Sequence, residues 1–273
     1  MEKKSTRQWQ IGLGLAISAV FLFLAVRNIH WPDVWAAWRR ARLDLLVAGT
    51  VLLVVGWGIG AVRWRILLAP APGLRMQDAF GYIMIGYLAN TVLPLRLGDL
   101  VRATLVGRRR RLGVSRALGS LALERVLDLL TLIGITLLVA LMMKIPPAIQ
   151  KTVATLAVGG LVALLFLFVL ALHQEKLPRV TALLARIMPH VLAERVITLI
   201  RNFSDGAAVL RRPAGLISAW TLSLLGWGVA GICAMTWIRA FHLEVPWQGA
   251  FFVLIMVNLG SAIPSSPGYI GVY

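Results

Sequence analysis

Seven apolar runs divide this chain, and only a bilayer suits them as a solvent. Five of them, at 11–26, 45–62, 121–143, 152–172 and 214–238, approach the roughly 20 residues that a helix needs to cross hydrocarbon. The composition agrees: 59% of residues are hydrophobic and 14% charged, against about half and a quarter in soluble domains. In lipid each backbone N–H and C=O must be satisfied internally, so helices are expected throughout. The fold class this implies is an all-α integral membrane protein, with 1–273 as a single multi-span transmembrane domain. The first run follows Lys3, Lys4 and Arg7 as in a signal peptide, but no small-residue cleavage site comes after it. It reads as an uncleaved first span. A single cysteine, Cys233, excludes an intrachain disulfide and a cysteine metal cage. The four histidines are scattered, so neither metal nor cofactor is expected.

The charge is lopsided, with 28 Lys and Arg against 11 Asp and Glu, a net +17. In a soluble chain this would point to nucleic acid. Here the cations sit between apolar runs, which points instead to cytoplasmic loops facing anionic lipid. A cytoplasmic N-terminus places Arg63, Arg65 and Arg75 inside. Arg108, Arg109, Arg110, Arg111 and Arg116 must also be inside, yet the short run 79–93 lies between the two groups. A re-entrant hairpin, entering at Ala79 and returning through 95–106, satisfies both. With it, 20 of the 28 cations are inside and seven outside. The cluster Arg39, Arg40 and Arg42 is its one awkward feature. A polar loop between His173 and Pro213 carries an amphipathic stretch, 180–203, which reads as a helix on the inner membrane surface. Trp31, Trp35 and Trp38 share a helical face, as an interfacial anchor does.

The chain also repeats itself. Asp33, Ala36, Arg39 and Arg40 recur as Asp205, Ala208, Arg211 and Arg212. Gly56-Trp57-Gly58 recurs as Gly226-Trp227-Gly228, and Gln77-x-Ala79-Phe80 as Gln248-x-Ala250-Phe251. Pro94 and Gly98 match Pro264 and Gly268, and every match lies at an offset of 170 to 172. The leading spans of the two copies are an odd number of crossings apart, so they are expected to run in opposite directions. That is an inverted-topology repeat, with two broken re-entrant segments, 79–106 and 250–273, meeting near the midplane. Copy one runs over about 33–172 and copy two over about 205–273, apparently truncated. Completing the second copy would need roughly 340 residues, so a fragment of a longer protein is expected. Gly56 and Gly60 have the GxxxG spacing of close helix packing.

Charges in a bilayer cost about 2.5–3.5 kcal/mol each on insertion scales, so they tend to mark function. Asn90, Arg96, Asp99 and Arg102 surround the first break. Glu124, Arg125 and Asp128 follow, with Glu124 and Asp128 at i and i+4 on one helix face. Arg96 with Asp99, and Asp99 with Arg102, are i,i+3 pairs. The functional reading is a polar cavity that offers arginine donors to a lipid phosphate and carboxylates to a cation or a proton. The structural alternative is an ion-pair cluster that pins the hairpin. In the second copy Asn258 precedes Pro264, Ser265, Ser266, Pro267 and Gly268. Prolines and glycines there favour unwound backbone lining a cavity.

Three blocks together resemble the lysylphosphatidylglycerol synthase transmembrane-region family, best known from the flippase halves of multiple peptide resistance factors. They are Arg63-Trp64-Arg65, then Asn90 through Pro94, Arg96, Gly98, Asp99 and Arg102 with Glu124-Arg125-x-x-Asp128, and finally Pro264-x-Ser266-Pro267-Gly268-x-x-Gly271. The resemblance implies a multi-pass bacterial or archaeal lipid-handling protein. In two-domain members this region moves an aminoacylated phospholipid after a separate cytosolic domain makes it. Other members are associated with hopanoid, polyprenyl-linked or glycolipid pathways.

The expected function is therefore a non-enzymatic lipid flippase or scramblase in the bacterial cytoplasmic membrane. Its partners would be membrane lipids (anionic or aminoacylated phospholipid, or a polyprenyl or hopanoid-type lipid), with no nucleic acid and with room for a homo-oligomer. In this reading Arg96 and Arg102 hold the phosphate, while Asp99, Glu124 and Asp128 take a cationic group or a proton. Asn90 and Asn258 shape the cavity, and Arg125, Pro94, Pro264, Ser265, Ser266 and Pro267 complete the expected substrate-binding set. The alternatives are a membrane-embedded transferase on lipid-linked substrates, with Asp99 or Glu124 as base, and a scaffold for a lipid-synthesis complex.

Overall fold

The computed structural model describes residues 27, 29–68, 73–92, 97–143, 147–172 and 190–262, and the described part is helical. The first expected span, and Pro94, Arg96, Pro264, Ser265, Ser266 and Pro267, lie outside the described residues, as do 180–189 of the amphipathic stretch. The helices are α1 (Trp31–Arg40), α2 (Leu43–Leu67), α3 (Met76–Val92), α4 (Gly98–Arg109), α5 (Val114–Met142), α6 (Pro147–Leu172), α7 (His190–Gly206), α8 (Pro213–Ala240) and α9 (Trp247–Ala262). A short 3-10 turn, Ala208–Arg211, precedes α8. Four of them, α2, α5, α6 and α8, are long and apolar enough to cross a membrane.

The helices extend past the apolar windows at their ends. The second run was expected to stop before Arg63, but α2 continues to Leu67 with Arg63 and Trp64 buried inside it. Helix α5 starts at Val114 rather than 121, directly after Gly113 at φ 84°, and its Glu124, Arg125 and Asp128 find partners within the protein. Helix α1 carries Trp31, Trp35 and Trp38 exposed on one face, with Pro32 in its first turn, where a missing N–H costs nothing. The guanidinium of Arg39 lies 5.3 Å from the ring of Trp35.

Helices α2 and α8 form an antiparallel pair. The N–H of Arg42 donates to Ala240 O at 2.9 Å. Further along, Trp237 Nε1 reaches Leu46 O at 3.4 Å and Cys233 Sγ reaches Gly49 O at 3.2 Å. At the far end Arg63 Nη1 donates to Ser223 Oγ at 2.7 Å. As the residue number climbs on one helix it falls on the other. The contacts also obey the 170 offset. A Cβ on Gly56 would sit 3.8 Å from Val229, and one on Gly226 would sit 3.7 Å from Ile59. Gly56 and Gly226 are repeat equivalents, and so are Ile59 and Val229.

Helices α3 and α4 form a hairpin against this pair. At its open end Arg110 reaches Asp78 Oδ2 at 2.5 Å. At its closed end the Gly98 N–H donates to Asn90 Oδ1 at 2.7 Å. Trp64, Ala79, Ile83, Ala103, Val106, Leu123 and Leu127 form the core joining the hairpin to α2 and α5. The described half of the amphipathic stretch, α7, crosses α5 at backbone contact. A Cβ on Gly119 would meet Phe203 O at 2.0 Å, and one on Gly206 would meet Arg116 O at 2.1 Å.

Candidate functional site

Six charged side chains from three helices meet beside the α2–α8 seam. Arg63 on α2 lies across two carboxylates of α5. Its Nη1 and Nη2 face both oxygens of Asp128, and Nη2 also donates to Glu124 Oε1 at 3.1 Å. Glu124 accepts through its other oxygen, Oε2, from Arg102 Nη2 at 2.9 Å. Arg102 in turn lies 4.4 Å from the Trp64 ring centroid, a cation–π contact. Asp99 receives a two-point pair from Arg125, Nε at 3.1 Å and Nη2 at 3.0 Å. Trp227 Nε1 of α8 donates to Asp128 Oδ1 at 3.3 Å. Three guanidiniums thus face three carboxylates.

The cluster divides into a buried part and a wall. Arg102 (3% exposed) and Glu124 (5%) are shut away behind α2. Arg63, Asp99, Arg125 and Asp128 line a cavity of about 430 Å³, a usual size for a small-molecule site. Asn90 of α3 and Asn258 of α9 line it too, together with Tyr87 and Thr91. Much of the remaining wall follows the repeat. Leu52 and Leu222, Leu53 and Ser223, Gly56 and Gly226, Trp57 and Trp227, and Gly60 and Ala230 are pairs at an offset of 170, and all ten face the cavity.

Several expectations are met here and others change. Glu124 and Asp128 do share a face, and both reach Arg63. Asp99 takes Arg125 as its close partner, with its i+3 neighbour Arg102 more distant at 3.7 Å. Arg102 was expected to grip a phosphate, but it is buried and committed to Glu124 and Trp64. Arg63 was counted as a loop charge, and it is the hub of the cluster. One signal could have found it: Gly56, Gly60 and Arg63 fall at i, i+4 and i+7, on one helix face. Gly60 was read as a close-packing residue, yet a Cβ there would meet nothing within 4 Å. Close approach occurs instead at Gly49, where a Cβ would lie 2.4 Å from the Trp237 ring. Trp57 and Trp227 were noticed as repeat markers, not as cavity residues.

A helical multi-pass membrane protein with a charged cluster beside a cavity at the seam of two spans is the class this geometry defines. The chain belongs to the family described as "Lysylphosphatidylglycerol synthase TM region", which it matches over residues 11–273. It is similar to "Glycosyltransferase AglD" of Haloferax volcanii, 29% identical across 98% of this chain and 48% of that protein. It is also similar to "UPF0104 membrane protein MJ1078" of Methanocaldococcus jannaschii, 24% identical over 67% of this chain and 74% of the relative. The chain spans about half the length of the first of these curated relatives. No solved structure matches it.

Proposed function

We propose that this chain moves a lipid headgroup between leaflets, without catalysis, through the cavity between α2, α8 and the α3–α4 hairpin. The observation that carries the reading is a cavity with charged and amide groups on its wall, bounded by helices whose other faces are apolar. Polar groups at that depth are costly unless something uses them. The headgroup would occupy the cavity while the acyl chains stay in the bilayer. The antiparallel α2–α8 pair and the offset-related wall support an inverted repeat, whose two broken segments converge on the substrate. The basic residues at the base of the hairpin support a cytoplasmic N-terminus in the cytoplasmic membrane. Phospholipids and lipid-linked headgroups are the substrates this admits. The name of the relative AglD favours a second reading, a membrane-embedded part of a lipid-directed transferase.

The test is reconstitution of the full chain in liposomes carrying fluorescent lipid analogues. Dithionite quenching of the inner leaflet is expected to speed up. Gly60→Leu pushes a side chain into the cavity and should slow the gain about tenfold, equivalent to about 1.4 kcal/mol of barrier. Gly60→Ala adds only a methyl facing open space and should leave it nearly unchanged. If no analogue moves faster than in empty liposomes, transport is wrong. Turnover of a lipid-linked donor by the same preparation would then favour the transferase.

A further inference from the structure

We infer that the headgroup this cavity accepts is glycosyl, an uncharged and polyhydroxylated ring carried on a lipid. The inference rests on the transport reading and narrows it to a substrate class. The wall charges are already spent on one another. Arg63 is held by Asp128 at both guanidinium nitrogens, and Arg125 is held by Asp99 in the same two-point manner. Two cations and two anions therefore leave the described wall neutral. A phosphate or an ammonium brings a net charge that no excess charge on the described wall offsets. An uncompensated charge in a partly buried site is expensive.

A ring bearing hydroxyls adds no charge. A carboxylate oxygen has several lone-pair sites, and one guanidinium contact leaves some of them for hydroxyl donors. Arg125 Nη1 stands 3.7 Å from Asp128, beyond hydrogen-bond reach, and its edge can donate to a hydroxyl oxygen. Asn90, whose Oδ1 accepts from the Gly98 N–H, adds the N–H donors of its amide to this wall. The rest of the wall is aromatic. Trp57 and Tyr87 stand with centroids 5.8 Å apart and planes tilted by 40°, which gives a broad apolar shelf. Trp227 faces the same space from α8 and spends its indole N–H on Asp128. Flat apolar faces beside fixed, mutually neutralised hydrogen-bonding groups suit a pyranose, whose ring is apolar on its C–H faces and polar at its rim.

The full chain in phosphatidylcholine nanodiscs, prepared without glycoside detergents, provides the test by native mass spectrometry. A monohexosyl diacylglycerol is expected to bind at least about tenfold more tightly than phosphatidylglycerol or lysyl-phosphatidylglycerol with matched chains, about 1.4 kcal/mol. Trp57→Ala should remove that preference and Trp57→Phe should keep most of it. Equal or tighter binding of either charged lipid overturns the inference. So does binding of free methyl glucoside without binding of the hexosyl lipid. The liposome assay separates the two readings. Binding of the hexosyl lipid with no accelerated quenching refutes transport and upholds the glycosyl site. Transport of every headgroup at one rate upholds transport and refutes the glycosyl site.

Discussion

Glu124→Ala is expected to cost about 3–5 kcal/mol of unfolding free energy, the usual penalty for removing one partner of a buried ion pair. Glu124 divides its two oxygens between Arg63 at 3.1 Å and Arg102 at 2.9 Å. Without it Arg63 still has Asp128, but among the described residues Arg102 keeps only Asp99 at 3.7 Å and the face of Trp64. A buried guanidinium with so little compensation is what makes the loss large. Arg102→Met should be milder, because Glu124 retains Arg63 and a flexible apolar side chain can fill the space against Trp64. The pair Glu124→Ala with Arg102→Met removes one charge of each sign and should recover part of the loss. A non-additivity of about 0.5–3 kcal/mol is expected for such neighbours. Chemical denaturation of the four proteins in one detergent measures it. Strict additivity would mean that the two side chains do not share a network, and the division into buried support and cavity wall would fail.

How far the sequence shows all this depends on the range of the interaction. The spans are legible because transfer into lipid is a property of each segment alone, and four of the expected runs are long apolar helices. The carboxylate pair Glu124 and Asp128 is legible because the helix brings i and i+4 together. What cannot be read locally is the choice of partner. Arg63 stands 61 and 65 positions from its two carboxylates, so it resembles an ordinary flanking cation until the helices are packed. The same holds for Arg102, whose neighbour Asp99 is the obvious partner in sequence but loses to Glu124 in space. The Gly-Trp-Gly repeat is intermediate. Its period is plain in the sequence, while its meaning depends on the antiparallel seam that sets both copies against one cavity. Pro94, Arg96 and the Pro264 to Pro267 block lie outside the described residues.

Gly98→Ala is expected to open the α3–α4 hairpin and damage both stability and transport. Gly98 begins α4, and its N–H is capped from the neighbouring helix by Asn90 Oδ1 at 2.7 Å, since Leu97 supplies no side-chain cap. A Cβ at this position would lie 2.0 Å from Gly86 O, 2.5 Å from Asn90 Oδ1 and 2.7 Å from Asn90 Cγ. The Asn90 side chain can turn away, but the Gly86 carbonyl belongs to the α3 backbone and cannot. The hairpin must therefore spread, at a cost of about 1–3 kcal/mol or somewhat more. Asp99 is the next residue, so spreading also draws its carboxylate away from Arg125 and breaks one side of the cavity wall. Asn90→Ala alone removes only the cap, worth about 0.5–2 kcal/mol. The double variant distinguishes the two causes. If the backbone contact governs, Asn90→Ala combined with Gly98→Ala should be no more stable than Gly98→Ala, and its transport should stay low. If the double variant recovers stability and transport toward the Asn90→Ala level, the obstacle is the amide side chain, and the hairpin is held less tightly than the close approach of Gly86 and Gly98 indicates.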